Sequence, residues 1–272
     1  MSVDKLEPLV SIFLPCFNHS KYIGKAIECA LNQNYKNIEI VIGDDGSTDG
    51  SDEIILQYAN TFPKIIIPVI SSKNLGMNNN FNNILKQCKG KYIAFTSADD
   101  LLFKNKIDIQ VEYMESNTDI ALCGHDVDWI DENGSNIFHE KYTPRFGSGP
   151  SEFIKLGPLF AGTSLMARLD KLPISGYDTN IKIVSDWKFQ IDILWNMKKY
   201  GYIDKKLASY RRHDGNLSKS KRRIIFLDQM RVCYFVIKRS RGLYIPQCIY
   251  FIFSGSYRKI KKTIRCFKKE RE

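Results

Sequence analysis

Two acidic clusters supply most of the chemistry this chain can offer: Asp44-Asp45-Gly46-Ser47-Thr48-Asp49 and Asp99-Asp100. Each follows an apolar run, residues 38–42 and 92–95, that reads as a buried strand. In an open α/β sheet, ligands bind outside the carboxyl ends of the strands, so carboxylates repeated there mark a pocket. Two such clusters, about fifty residues apart, are what a nucleotide and a metal ion together would need.

The elements that must hold these clusters can be read by periodicity. Residues 9–14 form a first strand ended by Pro15, and Ser20 is an N-cap for a helix over 21–32 with Ile23, Ala26, Ile27, Ala30 and Leu31 on one face. The turn chemistry of Asp45-Gly46-Ser47 stops a second strand. A helix over 50–60 follows, then an apolar run over 65–70 whose Pro68 assigns it to a sheet edge. A third helix over 78–88 leads to the strand at 92–95. This alternation implies parallel βαβ units with right-handed crossovers, hence a nucleotide-binding half in the first hundred or so residues. No Gly-x-Gly-x-x-Gly follows the first strand and no P-loop is present, which disfavours a dinucleotide fold.

Composition sets the limits. A chain of 272 residues with 43% hydrophobic and 26% charged content can bury a sizeable core. Seven scattered cysteines without a Cys-x-x-Cys pair argue against a disulfide framework or zinc ribbon and read as small core residues. Residues 1–8 carry no apolar leader, so a cytoplasmic location is expected. The net charge of +10 is concentrated: residues 219–272 hold sixteen Lys or Arg against three acids, while residues 1–218 hold 24 against 27. The chain therefore divides into a body, 1–218, and a basic, aromatic-rich helical extension, 219–272. Within the extension, 223–238 reads as a helix, and the apolar run 243–253 is too short for the roughly 20 residues of a spanning helix. Arg258, Lys259, Lys261, Lys262, Arg265, Lys268 and Lys269 come next. Such a segment suits the interface of an anionic membrane, the plainer alternative being a solvated basic helix.

The order of the motifs resembles glycosyltransferase family 2, inverting enzymes of the GT-A fold that use nucleotide sugars. The resemblance runs from about residue 9 to 218. It rests on the stretch from Val10 to Asn18, the cluster Asp44 to Asp49, Asn74-Leu75-Gly76, Ser97-Ala98-Asp99-Asp100, Ser185-Asp186-Trp187 and Tyr210-Arg211-Arg212-His213. It implies a GT-A α/β fold, a mainly parallel central sheet flanked by helices with the helical extension added. By the same resemblance, Pro15, Phe17 and Asn18 border the nucleotide, with Phe17 as a stacking face or else a core residue. Asp45 matches the acceptor for the imide N–H of a uracil or thymine base, and Asn74 and Gly76 match the loop after the third strand. Asp44 and Asp49 fit either the site or helix caps. Asp99 and Asp100 occupy the metal and ribose region and would hold Mn²⁺ or Mg²⁺, with Ser97 standing where the family's first acid is common. His213 would add a metal ligand, and Arg211 and Arg212 would pair with phosphate oxygens. Gly162-Thr163-Ser164 resembles the acceptor-facing strand. Asp186 matches the general base, at the start of a helix over 187–199 whose N-terminal end favours the carboxylate. A plain N-cap at Ser185 or Asp186 is the alternative.

The resemblance implies transfer of a hexose-like sugar, from a UDP- or dTDP-sugar, to a hydroxyl of a glycan or lipid-linked acceptor. That places the chain in bacterial surface polysaccharide assembly of the O-antigen or capsule kind, peripheral on the inner face of the plasma membrane. Two other readings stay open at this level, a nucleotidyltransferase and a non-catalytic protein whose basic tail meets nucleic acid or membrane. No nucleic-acid partner is expected.

Overall fold

The computed structural model describes residues 7–140, 146–213 and 222–254. The basic run after Tyr257 and the boundary expected at 218/219 lie outside them.

The four apolar runs of the first half are the strands β1 (Val10–Cys16), β2 (Ile38–Asp44), β3 (Ile66–Ile70) and β4 (Tyr92–Phe95). All pair in parallel, in the order β3-β2-β1-β4, and Pro68 sits on the edge strand as expected. Alternation along each strand sorts its side chains into two layers. Ile12, Leu14, Ile40, Ile42 and Ala94 face one apolar layer, filled by Ile23, Ile27 and Ile55 of helices α1 (Ser20–Leu31) and α2 (Ser51–Thr61). Phe13, Val41, Ile93 and Phe95 face the other, which takes Ile84 of helix α3 (Met77–Gln87).

Ser20, read as an N-cap, is instead the first residue of α1, and the capping acceptor comes from the loop after the neighbouring strand β2: Asp49 Oδ2 takes the Ser20 N–H at 2.9 Å.

Beyond β4 come the short strand β5 (Leu101–Leu102), helix α4 (Lys106–Ser116), the long strand β6 (Ile120–Ile130), β7 (Asn136–Glu140), β8 (Gly147–Ser148) and helix α5 (Ser151–Leu156). Strand β9 (Met166–Arg168), helix α6 (Ser185–Ile193) and the strand β10 (Lys199–Arg211) follow. The sheet continues β4-β9-β6-β10-β5, with β9 antiparallel between β4 and β6, and β6 and β10 parallel. The Gly162–Ser164 stretch, likened to a strand, is a 3₁₀ turn before β9.

The helix expected over 187–199 is shorter. It starts at Ser185 and stops at Ile193, because Asn196 and Met197 take positive φ (65° and 58°) to turn the chain into β10. Val184 holds the N-cap position, and the buried Ser185 hydroxyl makes no hydrogen bond, so Ser185 does not cap the helix.

Helix α7 (Arg222–Arg239) matches the predicted 223–238 and buries Val232, Cys233 and Val236 in the same apolar layer as Trp187 and Ile191 of α6. Residues 245–254 are also helical, with Phe251 against Trp187 at 4.6 Å between ring centroids. The C-terminal helices are thus packed onto the body through α6. The six described cysteines are free, five of them buried. Among the described residues, no helix is long and apolar enough to cross a membrane.

Candidate functional site

The site is built where the loops after β1, β2, β3 and β4 meet. Asp44 folds back on its own turn, accepting the Ser47 N–H at 2.8 Å and its hydroxyl at 2.5 Å. Asp49 accepts from Ser20 N, Ser51 Oγ (2.6 Å) and Ser51 N (3.1 Å), tying the starts of α1 and α2. Burial pushes its pKa up, but the hydrogen bonds from Ser51 and Ser20 outweigh that and hold it at about 2. Both residues therefore shape the loop. Asn18, at φ 55°, joins the β1 loop to this turn: its N–H reaches Ser47 Oγ at 2.8 Å and its Oδ1 accepts from Thr48 N at 2.9 Å.

Asp45 is buried and accepts one backbone N–H on each oxygen, from Leu75 at 2.8 Å and Gly76 at 3.0 Å. Burial raises its pKa and these bonds oppose the rise. Gly76 sits at φ 90°, and Asn74 Oδ1 accepts from the same N–H at 3.0 Å. Gly46, at φ 71°, lies under the Lys73-Asn74 backbone, where a Cβ would come within 2.4 Å of a carbonyl carbon. Asn18, Asp45, Asn74 and Gly76 thereby belong to one connected loop cluster. Phe17 is 41% exposed beside it, so it is no core residue, and Pro15 is half-buried.

The second cluster is held by β10. Ser97 Oγ donates to Asp99 Oδ1 at 2.6 Å, and His213 Nε2 lies 3.0 Å from Asp99 Oδ2. Asp100 is buried, and its Oδ1 accepts the Arg211 N–H at 2.9 Å. Burial and then the neighbouring Asp99 charge push the Asp100 pKa well up, against the pull of Arg211 and the Thr163 hydroxyl. Thr163 therefore faces Asp100 from within the core.

Arg211 is buried too, and its guanidinium donates to the carbonyls of Asp99 (2.8 Å), Asp131 (2.9 Å) and Glu132 (3.1 Å) beneath the Tyr22 ring. Its contacts latch strand to loop. Arg212 is exposed and lies over Trp129 at 4.7 Å, which leaves it the more accessible cation of the pair.

Asp186 stands in the first turn of α6, its Oδ1 accepting the Trp187 N–H at 2.8 Å. Burial raises its pKa above the ordinary carboxylate value. Its loop is braced from two sides. Asn78 of α3 donates to the carbonyls of Asp178 (2.8 Å) and Ile181, and Asp228 of α7 accepts the Ile183 N–H at 2.7 Å.

Two residues to which the sequence reading gave no role, Tyr210 and His19, complete the picture. Tyr210 of β10 packs on Trp129 at 4.8 Å, and after burial the charges of Asp100, Asp99 and Asp186, in that order, raise its pKa. His19, just past Asn18, brings its imidazole to Asp99 and His213, with one potential ligand atom from each lying within 4.8 Å of the others. Asp100 is not part of this group. One carboxylate with two imidazoles, and a buried His19 Nδ1 that lacks a hydrogen-bond partner, fit a divalent cation.

A mainly parallel sheet with a cation-suited cluster at its strand ends, and a carboxylate on a separate helix, has the architecture of the GT-A fold. The chain matches Glycosyl transferase family 2 over residues 11–169 and belongs to that family. It is a glycosyltransferase. An uncharacterized glycosyltransferase of Methanocaldococcus jannaschii is 31% identical over 81% of this chain and 77% of its own length. One from Rickettsia typhi is 31% identical over 69% of this chain and 59% of its own. Chondroitin synthase of Escherichia coli is 34% identical over 49% of this chain and 19% of its own length. Among solved structures, Staphylococcus aureus TarS 1–349 with UDP-GlcNAc superposes with a TM-score of 0.68 at 17% identity, covering 84% of this chain and 66% of that one. The Pyrobaculum calidifontis mannosyltransferase with GDP-Man and Mn²⁺ gives 0.64 at 15% identity over 93% and 76%. These likenesses show the GT-A fold.

Proposed function

We propose that this glycosyltransferase is inverting and uses a divalent cation to move a sugar from a UDP- or dTDP-sugar to a hydroxyl of a glycan or lipid-linked acceptor in surface polysaccharide assembly. The observation that best supports the reading is the His19-Asp99-His213 group, whose ligand atoms lie within 4.8 Å of one another beside the strand-end loops, while the charge of Asp186 acts with those of Asp99 and Asp100 on Tyr210. Phe17 offers its exposed face to the base, and Asp45, with lone pairs left after its two backbone bonds, accepts the imide N–H. Asp99 and His213 would hold the cation, Mn²⁺ or Mg²⁺, which would supply positive charge against that of the departing diphosphate. Arg212 is placed to meet phosphate oxygens.

Asp186 takes the proton of the acceptor hydroxyl as that oxygen attacks the anomeric carbon from the face opposite the diphosphate, so the configuration inverts without a covalent enzyme intermediate. The raised pKa of Asp186 suits a base. The UDP-GlcNAc complex of TarS supports a uridine donor, the chondroitin synthase relative supports a glycan acceptor, and the basic extension supports work at an anionic membrane surface. Asp186→Asn is expected to lower kcat by about 10²- to 10⁴-fold while UDP binding stays unchanged. NMR of the product should show the anomer opposite to the donor's; retention of configuration would overturn the reading.

A further inference from the structure

His19 is held in place more tightly than a loop histidine needs to be. Its backbone N–H donates to Ser51 Oγ at 2.9 Å, the preceding Asn18 is locked into the β2 turn, and the following Ser20 is tied to Asp49. The ring is thereby fixed beside Asp99 and His213, edge-on to the His213 ring at 6.0 Å between centroids. Its Nδ1 is shut off from solvent and has no hydrogen-bond partner. A buried acceptor or donor left unmade is costly, so such an atom points to a missing partner.

One ring nitrogen of His19 comes within 4.8 Å of a ligand atom of Asp99 and of His213, and the rest of the cluster says what these atoms can share. Ser97 stands where a further acid would give the cation a second carboxylate, and its hydroxyl is used as a donor to Asp99 Oδ1. Asp100 is turned to the Arg211 backbone. The donor set around the gap is therefore one carboxylate and two imidazoles. Mg²⁺ prefers an octahedron of oxygens, whereas imidazole nitrogen suits first-row transition ions.

We propose that His19 is a direct ligand of the cation, forming with Asp99 and His213 a His-Asp-His site that selects Mn²⁺ or a similar first-row ion over Mg²⁺. The inference rests on the reading of Asp99 and His213 as cation ligands and adds what the β1 loop contributes. In this site the histidine replaces the carboxylate missing at Ser97.

The test uses the full chain, metal-free, titrated with Mn²⁺ or Mg²⁺ alone and then with UDP present, with binding followed by calorimetry and by the loss of the free Mn²⁺ EPR signal. Electron spin echo modulation counts the nitrogens on bound Mn²⁺. His19→Ala should weaken Mn²⁺ by at least about tenfold, a scale that even outer partners of metal ligands command, and reduce two imidazole nitrogens to one. Mg²⁺ affinity should change little, and the melting temperature of the metal-free protein should be kept. His19→Gln serves if the alanine variant does not fold. Should Asp99→Asn lose Mn²⁺ while His19→Ala keeps both affinity and nitrogen count, His19 is no ligand and the cation reading stands. If the wild type binds no Mn²⁺ even with UDP, both fall.

Discussion

On the proposed function Asp45 serves fold and ligand together, since each of its oxygens holds a backbone N–H of the 75–76 loop with lone-pair capacity beyond that bond. In Asp45→Asn the amide NH₂ confronts one of those N–H groups, so a loop bond and the base acceptor are disturbed together. We expect UDP affinity to fall at least about tenfold and stability to drop by about 1–3 kcal/mol, read by calorimetry and urea denaturation. An unchanged UDP affinity would exclude Asp45 from the base site. Lys106 carries a different prediction. It is fully buried, donates from Nζ to Gln110 Oε1 at 2.5 Å, and burial lowers its pKa from 10.5 to about 7. Between those values the unfolded chain keeps a proton that the folded chain has released, so this contribution to stability rises with pH there and is flat below it. Measured by urea denaturation at a series of pH values, wild type should gain on Lys106→Met by up to roughly 1.4 kcal/mol per pH unit above neutrality. A pH-independent difference would refute it. That Asp45 and Asp99 lie in the loops at the strand ends was legible because each follows an apolar run, although Asp44 and Asp49 of the same cluster serve to shape the loop. His19 and Tyr210 were not, because their roles appear only when the β1 loop and the end of β10 converge on Asp99, 114 residues before His213.

At the scale of elements, the first half was legible because each strand is a short apolar run bounded by turn residues, and each helix repeats apolar positions on one face. The second half resisted the same reading. β9 has three residues, and β6 pairs with β10 through three register shifts, so local periodicity carries little of that pairing. The reach of α6 was overestimated because Leu194 and Trp195 continue its apolar pattern while Asn196 and Met197 break the backbone. Helix α7 was placed correctly, but its partner was invisible: an apolar face does not name what it covers. That partner is the α6 layer, and the polar link is Asp228, fully buried, which accepts from Ile183 N at 2.7 Å and pairs with Arg231 at 3.2 Å. Asp228→Ala leaves the Ile183 N–H without its acceptor and slackens the approach to Asp186. We expect a loss of about 1–3 kcal/mol in urea denaturation and a lower kcat, with KM for the donor unchanged because the nucleotide loops are elsewhere. Asp228→Asn retains an acceptor oxygen and should recover part of the rate. A rise in donor KM with kcat intact would exclude this bracing role.

For the whole molecule, the question is why residues 219–272 carry thirteen more basic than acidic residues when the body is mildly acidic. The helical segment 245–254 exposes Ile245, Ile249, Tyr250 and, at 69%, Phe253, which recur on one side at helical spacing, with Leu243 exposed just before them. Its inner side buries Cys248 and rests Phe251 on Trp187, the residue after Asp186. An outward apolar stripe followed in sequence by a dense basic run has the composition of a segment lying in an anionic lipid interface. Docking there would bring the start of α6 toward the surface, where the proposed lipid-linked acceptor would present its hydroxyl. Each basic residue near such a surface contributes about 1 kcal/mol, and salt screens it. The full chain should therefore sediment with phosphatidylglycerol-containing vesicles and release at high salt, while phosphatidylcholine vesicles leave it in solution. Ile249→Glu with Phe253→Glu should cut that partition at least about tenfold yet leave transfer to a water-soluble acceptor intact. If the stripe instead joins two copies of the chain, analytical ultracentrifugation will show a dimer that this double substitution splits, and vesicle binding will not respond to it.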